Sequence, residues 1–230
     1  MRVCLASTSP ARLMLLQQFG IRPLTIAPDV DEDAVIAAIE TSRGYPLPPE
    51  EHVSVLARRK AADVSARLAS DIPDFDGIVI GGDSMFALDG DVLGKPYSAE
   101  NARRRWRAMR GRTGVLHSGH AVVRIEPGVP AREVHAVAAA SVSFAADVTD
   151  AEIDAYVATG EPLHVAGAFT VDSLGGAFIE RVEGDPSTVV GMSLSTLRTL
   201  VRELGVEWTA LWHTVDESVA ASGSGAAPAL

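Results

Sequence analysis

The feature that most constrains this chain is a switch from strand to helix within its first ten residues. Val3, Cys4 and Leu5 read as a buried strand, which Ser7, Thr8 and Ser9 bring to an end. Pro10 then stands where a first helical residue tolerates proline, with Ser9 as its N-cap. The helix that follows takes Leu13, Leu16 and Phe19 as its apolar face and stops at Gly20. A strand that delivers hydroxyls to a helix N-terminus, with Arg12 one turn in, can receive an anion. Free N–H groups, the helix dipole and the guanidinium all favour phosphate there. By spacing alone, an ordinary capped first helix fits equally well.

The rest of the chain alternates in the same manner. An acidic stretch at Pro28–Val35 and a loop rich in proline and glycine near Gly44–Pro49 precede a long helix. Glu50 and Glu51 occupy its first turn, and its apolar stripe is Val53, Leu56, Ala57, Ala61, Val64 and Leu68. A strand at Ile78–Ile80 enters Gly81–Leu88, Asp89-Gly90 turns the chain, and Val92–Pro96 returns. Ser98 caps a helix through Met109, and two long β segments follow at Val115–Ile125 and Arg132–Phe144. Thr149 and Glu152 make a capping box for a helix ending at Gly160. A hairpin around Gly175–Val182 and a last helix from Ser193 to Leu204 complete the order. Helices alternating with adjoining strands specify α/β with a mixed sheet. We expect one domain over residues 1–212 and a disordered tail over 213–230, where small polar residues lack periodicity.

Charge and cysteine usage narrow the functional classes. The formal net charge of −10 argues against nonspecific nucleic-acid binding, which needs a basic surface. An anionic substrate must therefore be held by a few placed cations. Cys4 is the single cysteine, so no internal disulfide can form, and a reducing cytoplasm is the expected compartment. No secretory leader and no apolar run long enough for a membrane span are visible, so no membrane association is expected.

Three residues break the local rules. Lys60 lies on the apolar stripe of the long helix, where an ammonium needs a negative partner or a ligand, or must snorkel to the edge. If it is unpaired, replacing it would stabilise the fold. Asp83 follows Ile78-Val79-Ile80-Gly81-Gly82, a run expected to be a central strand. An aspartate there is unfavourable, and two glycines before it let another group approach the backbone. Lys95 lies between Gly94 and Pro96; a two-residue turn at Asp89-Gly90 sets Leu93 opposite Phe86, and so Lys95 opposite Ser84. The arginines at 103, 104, 105, 107 and 110 read as a solvated helix face. The six histidines show no metal-ligand spacing, and no nucleophile elbow, zincin or dinucleotide motif is present.

Together Ser7, Ser9, Pro10, Arg12, Glu32, Lys60, Asp83 and Lys95 resemble the Maf family of nucleoside triphosphate pyrophosphatases, also described as septum-formation inhibitors. The resemblance runs through Leu5–Arg12, Val30–Glu32, Leu56–Ala61, Gly81–Phe86 and Gly94–Pro96, then Gly160–Gly176 and Glu183–Leu194. It implies an elongated mixed β-sheet flanked by helices with a central cleft, similar to inosine triphosphate pyrophosphatase folds. It also implies metal-dependent cleavage between the α and β phosphates, with magnesium or manganese, to a monophosphate and pyrophosphate. Clearing of non-standard or modified nucleotides would follow. The family's proton-accepting aspartate falls on Asp83. Ser7, Ser9, Arg12, Lys60 and Lys95 can bind the phosphates, and Glu32 and Asp83 can hold the metal through oxygen. The sequence departs from the family at Ala11, where an arginine is usual, at Val165, where many members have lysine, and at Asp172, where dTTP/UTP-cleaving members have glutamine. A carboxylate at 172 would suit the paired donors of guanine better than a pyrimidine edge. A homodimer is left open. The alternative class is a nucleotide-sensing, non-enzymatic regulator of cell division.

Overall fold

The computed structural model describes residues 1–213. Apart from its first residue, the tail expected at 213–230 therefore lies outside the described residues. β1 (Arg2–Ala6) leads into α1 (Pro10–Gln18), with Ser9 as N-cap and Pro10 at the first helical position. After the short β2 (Leu24–Thr25) come α2 (Glu32–Arg43) and α3 (Pro49–Asp71), then β3 (Gly77–Leu88), β4 (Asp91–Leu93) and α4 (Ala99–Met109). The long antiparallel pair β5 (Thr113–Glu126) and β6 (Val129–Phe144) precedes α5 (Asp150–Ala158). β7 (Ile179–Glu183), α6 (Pro186–Val190) and α7 (Leu194–Glu203) finish the fold.

The strands form one mixed sheet in the order β2-β1-β3-β5-β6-β7, with β4 attached to β3. β1 runs parallel to β2 and β3, and the other pairs are antiparallel. Side-chain alternation along the strands sorts the core onto two faces. Cys4, Val79, Ala121 and Val123 pack under α3 with Ala57, Ala61 and Val64. Leu5, Ile78, Ile80 and Val122 pack against Leu16 of α1 and against Leu197 and Val201 of α7. A third cluster, built on Phe86, Trp106, Phe144, Tyr156 and Phe169, joins α4 and α5 to the far end of β3.

Three local expectations change. The acidic stretch is the start of a helix, α2, capped by Asp31 and closed by Gly44 in the left-handed region. Phe19 is exposed, and α1 buries Leu15 together with the expected Leu16. The segment expected as a hairpin at Gly175–Val182 is a tight 3-10 turn, Leu174–Phe178, followed by a single strand that pairs with β6.

One topological consequence prepares the site. β5 lines one edge of β3 from Gly77 to Ala87. On the other edge β1 reaches only to Gly81, and β4 begins only at Phe86. Residues Gly82, Asp83, Ser84 and Met85 therefore have no strand on that side.

Candidate active site

Glycine positions decide how closely the surrounding elements approach this gap. A Cβ on Gly81 would lie 2.3 Å from the Ala57 carbonyl oxygen, and one on Gly119, the ladder partner of Asp83, 2.1 Å from that of Val53. α3 thus rests directly on strand backbone, which no side chain could permit. Gly82 faces the other side, where a Cβ would meet Arg12 Nε at 3.2 Å. The two glycines before Asp83 admit a helix on one face and a guanidinium on the other.

The seating of α3 brings Lys60 onto Asp83. The ammonium lies 2.8 Å from Asp83 Oδ1 and 2.8 Å from Glu32 Oε1. Exposure of the three side chains is 8% for Lys60, 14% for Asp83 and 48% for Glu32. Of the alternatives open for Lys60, the paired one holds and the snorkelling one does not. Glu32 enters because α2 starts with it, so the unexpected helix is what aims this carboxylate. Lys60 engages one oxygen of each carboxylate, which leaves each a second oxygen.

Arg12 is buried and fixed by three donations: Nε to the Gly191 carbonyl at 2.9 Å, Nη1 to Ser7 Oγ at 3.2 Å and Nη2 to Ser84 Oγ at 2.9 Å. A guanidinium has five N–H groups, so two remain. Burial lowers the Arg12 pKa from its usual value, and the charges of Asp83 and Glu32 partly offset that shift. Ser7 Oγ also accepts from Ser9 N–H at 3.1 Å, while Ser9 Oγ caps α1 by accepting from Arg12 N–H at 3.4 Å. Sequence reading missed the polar layer beneath: Ser84 Oγ pairs with Ser118 Oγ at 2.9 Å, and Ser118 donates to the Thr188 carbonyl. It also missed His120, fully buried, whose Nε2 accepts from Ser193 N–H at 2.8 Å. Burial, then the nearby Arg12 charge, push its pKa down to about 4, so the ring is neutral near pH 7. The signal for this layer was the alternation Gly82, Ser84 along β3 facing Ser118, His120 along β5.

Lys95 and Asp172 lie outside this cluster. The turn at Asp89-Gly90 has positive φ at both residues, and Phe86 pairs with Leu93 as expected. The ladder stops at Leu93, however, so Lys95 is not paired with Ser84, whose partner is Ser118. Lys95 is exposed. The chain leaves the sheet because Pro96 cannot donate to a ladder and because Tyr97, at φ 56°, donates its N–H to the Leu163 carbonyl. Asp172 is exposed in the bend before the 3-10 turn at Leu174. A surface groove of about 760 Å³ between α2 and α3 is lined by Asp31, Ala34, Arg59 and Asp63, not by Asp83 or Lys60.

For a divalent ion, the described residues offer no group of three His, Cys, Asp or Glu side chains. They do offer two carboxylates that meet at the Lys60 ammonium, each with a second oxygen, and magnesium is commonly bound by one or two carboxylates together with substrate phosphates. The donor set fits a metal shared with a bound triphosphate.

A family model described as Maf-like protein matches residues 2–204. A nucleoside triphosphate pyrophosphatase of Leifsonia xyli is 61% identical over 219 residues, covering 95% of this chain and all of the relative. One of Rhodococcus jostii is 50% identical, covering 90% of this chain and 94% of the relative. Among solved structures, the Staphylococcus aureus Ham1 protein aligns over 64% of this chain and 73% of its own, at 13% identity and a TM-score of 0.30. A dITP/XTP pyrophosphatase of Mycobacterium abscessus aligns over 89% and 98%, at 14% identity and a TM-score of 0.34.

Proposed function

This chain belongs to the Maf-like protein family, and from that premise we propose how it hydrolyses nucleoside triphosphates: by attack of water between the α and β phosphates, with Asp83 accepting the proton. The observation that carries this reading is the Lys60 ammonium held between Asp83 and Glu32 at the open edge of β3, beside the buried Arg12. A protein of net charge −10 repels a polyphosphate unless cations are concentrated at one place. Lys60, the free N–H groups of Arg12, the Ser7 and Ser9 hydroxyls and the N-terminus of α1 supply that place. Lys95, on the loop that leaves the sheet at the other end of the gap, reaches the chain of phosphates from there.

Asp83 keeps Oδ2 for a water while Lys60 orients Oδ1. A carboxylate oxygen left free in this position is the group that would take the proton of the attacking water. Glu32 and Asp83 would hold a magnesium or manganese ion, which would neutralise phosphate charge and acidify the attacking water. The products are a nucleoside monophosphate and pyrophosphate. Asp172 reads the base and favours guanine-type or modified purine nucleotides, whose adjacent donors a carboxylate accepts together. The setting is cytoplasmic, and residues 1–212 act as one domain. Among the described residues no helix is long and apolar enough to cross a membrane. A purely nucleotide-sensing regulator is not favoured, because binding alone has no use for a water-activating aspartate and the relatives are named nucleoside triphosphate pyrophosphatases.

Pyrophosphate release from a panel of nucleotides, with Mg2+ or Mn2+, tests the assignment. Asp83→Asn should keep the wild-type circular dichroism and lose at least about 10²-fold in turnover. Wild-type turnover in that variant would remove Asp83 from the mechanism.

A further inference from the structure

One carboxylate away from the Lys60 cluster gathers more donors than any role discussed so far requires. Glu161 opens the 3-10 turn Glu161–His164 after α5. Its Oε1 accepts from Tyr156 Oη at 2.9 Å, Gly175 N–H at 3.1 Å and Thr170 Oγ1; its Oε2 accepts from Ser173 Oγ at 2.8 Å and Leu174 N–H at 3.3 Å. Four of these five donors belong to residues 170–175, a stretch with no strand pairing to shape it. Burial alone would raise the Glu161 pKa; the hydrogen bonds from Thr170, Ser173, Tyr156 and Gly175 outweigh it and hold the group at about 2. The side chain is therefore an acceptor at every working pH, and each neighbour has to be a donor.

The segment between Glu161 and this stretch, Leu163–Ala168, borders the far end of the open edge of β3. Leu163 accepts from Tyr97, two residues after Lys95, and Ala168 accepts from Trp106 Nε1 at 2.7 Å. Gly167, at φ 73°, lies so close to Phe86 that a Cβ there would be 2.9 Å from the ring. Phe86 is the first residue of β3 beyond the gap. Ser7, Ser9 and Arg12 sit at the β1 end of the gap and Lys95 alone at the other, so the chain that leads from Glu161 to Asp172 flanks the end with fewer phosphate-binding groups, where a nucleoside has room.

We propose that Glu161 is a positioning residue for base selection: by taking donors from Tyr156, Thr170, Ser173, Leu174 and Gly175 it sets the conformation of the 170–175 loop that meets the nucleobase. This rests on the pyrophosphatase reading above. A glutamine at 161 turns one acceptor arm into a donor, which must then face one of five existing donors and release part of the loop. The phosphate end does not contact Glu161 and should be untouched.

The experiment measures kcat and KM for GTP, 7-methyl-GTP, dTTP and UTP, together with inhibition by inorganic tripolyphosphate, which has no base. In Glu161→Gln the ratio of kcat/KM between the best and worst nucleotide should shrink by about tenfold, through KM. The kcat on the best nucleotide and the tripolyphosphate inhibition constant should stay within about threefold of wild type. Thr170→Val and Ser173→Ala, each removing one donor, should shrink the ratio by smaller amounts, and they decide the matter if Glu161→Gln does not fold. An unchanged ratio in every folded variant overturns the proposal. So does an equal fall for all nucleotides with weaker tripolyphosphate inhibition, which would make Glu161 a support of the whole site. If the wild type releases pyrophosphate from none of the four, the pyrophosphatase reading falls, and this inference with it.

Discussion

Replacing Lys60 with methionine removes the ammonium from Asp83 Oδ1 and Glu32 Oε1 while keeping an unbranched side chain of similar length on α3. The two lost contacts differ in weight. Glu32 is 48% exposed, so water replaces its partner and the loss is below about 1 kcal/mol. Asp83 is only 14% exposed and is left as a nearly buried charge without a counter-ion. Removing one partner of a fully buried pair costs about 3–5 kcal/mol, and partial access to water brings this to about 2–3 kcal/mol. Methionine on an apolar helix face returns about 1 kcal/mol, so the net destabilisation of Lys60→Met is about 1–2 kcal/mol. Taken as an unpaired cation, Lys60 would give the opposite sign. The cleaner quantity is the coupling in a double-mutant cycle with Asp83→Asn, read from urea unfolding midpoints at constant m-value. We expect about 2 kcal/mol, with Asp83→Asn restoring much of what Lys60→Met loses. A coupling below about 0.5 kcal/mol would mean that the pair is screened like any surface contact, and the electrostatic account of Asp83 would fail with it.

Two further outcomes follow from the packing around the gap. Gly119→Ala places a methyl 2.1 Å from the Val53 carbonyl oxygen, so α3 must lift; unfolding free energy should fall by about 3 kcal/mol or more and pyrophosphate release should drop as Lys60 leaves Asp83. Wild-type kinetics and stability in that variant would show that α3 is not seated by the glycines. His120, with its pKa lowered from 6.5 to about 4 by burial and Arg12, binds a proton in the unfolded chain before it does in the folded one. Its contribution is fully present above about pH 6.5 and is lost as pH falls towards 4, at about 1.4 kcal/mol per pH unit and about 3 kcal/mol in all. The stability difference between wild type and His120→Gln should narrow over that window; an unchanged difference at pH 7 and pH 4.5 would contradict the assignment.

Two residues of the candidate site stand out in the sequence because they break a local rule: Lys60 on an apolar stripe and Asp83 in a central strand. A rule broken by one residue is visible in one dimension, and the structure answers both anomalies with a single contact. Lys95, the third anomaly, stands out only through a register that assumes pairing beyond Leu93, and the ladder ends two residues before it. Nothing local marks Leu93 as the last paired residue except the Gly94 and Pro96 that follow. α2 was hidden because Glu32 and Asp33 drew attention as charge, although Asp31, Ile36, Ile39 and Gly44 stand at cap, core and stop positions. The His120 layer was illegible for a different reason. Its members meet across three elements, and pairing β5 with β3 in the correct register is the information needed to see them.

That same register explains why the candidate site lies where it does. β1 runs parallel to β3 and β4 runs antiparallel to it, and both occupy one edge, so their C-termini point towards each other along β3. Neither can continue without meeting the other. The chain after Ala6 and the chain after Leu93 must both leave the sheet, and they leave at opposite ends of a gap of five residue steps, about 16 Å. One exit deposits Ser7, Ser9 and Arg12; the other deposits Lys95 and hands its backbone to Leu163. The residue in mid-gap on the α3 face is Asp83, since Gly81 before it and Gly119 opposite it are already covered by that helix. A strand edge shared by two converging neighbours therefore leaves an open stretch of β3 where Arg12 and Lys60 gather beside Asp83 and Glu32. Filling the gap would remove it: lengthening β4 by two residues, by replacing Gly94-Lys95-Pro96 with a sequence able to pair, should preserve folding and abolish nucleotide turnover, and full activity in that variant would show that the open edge is not where the substrate lies.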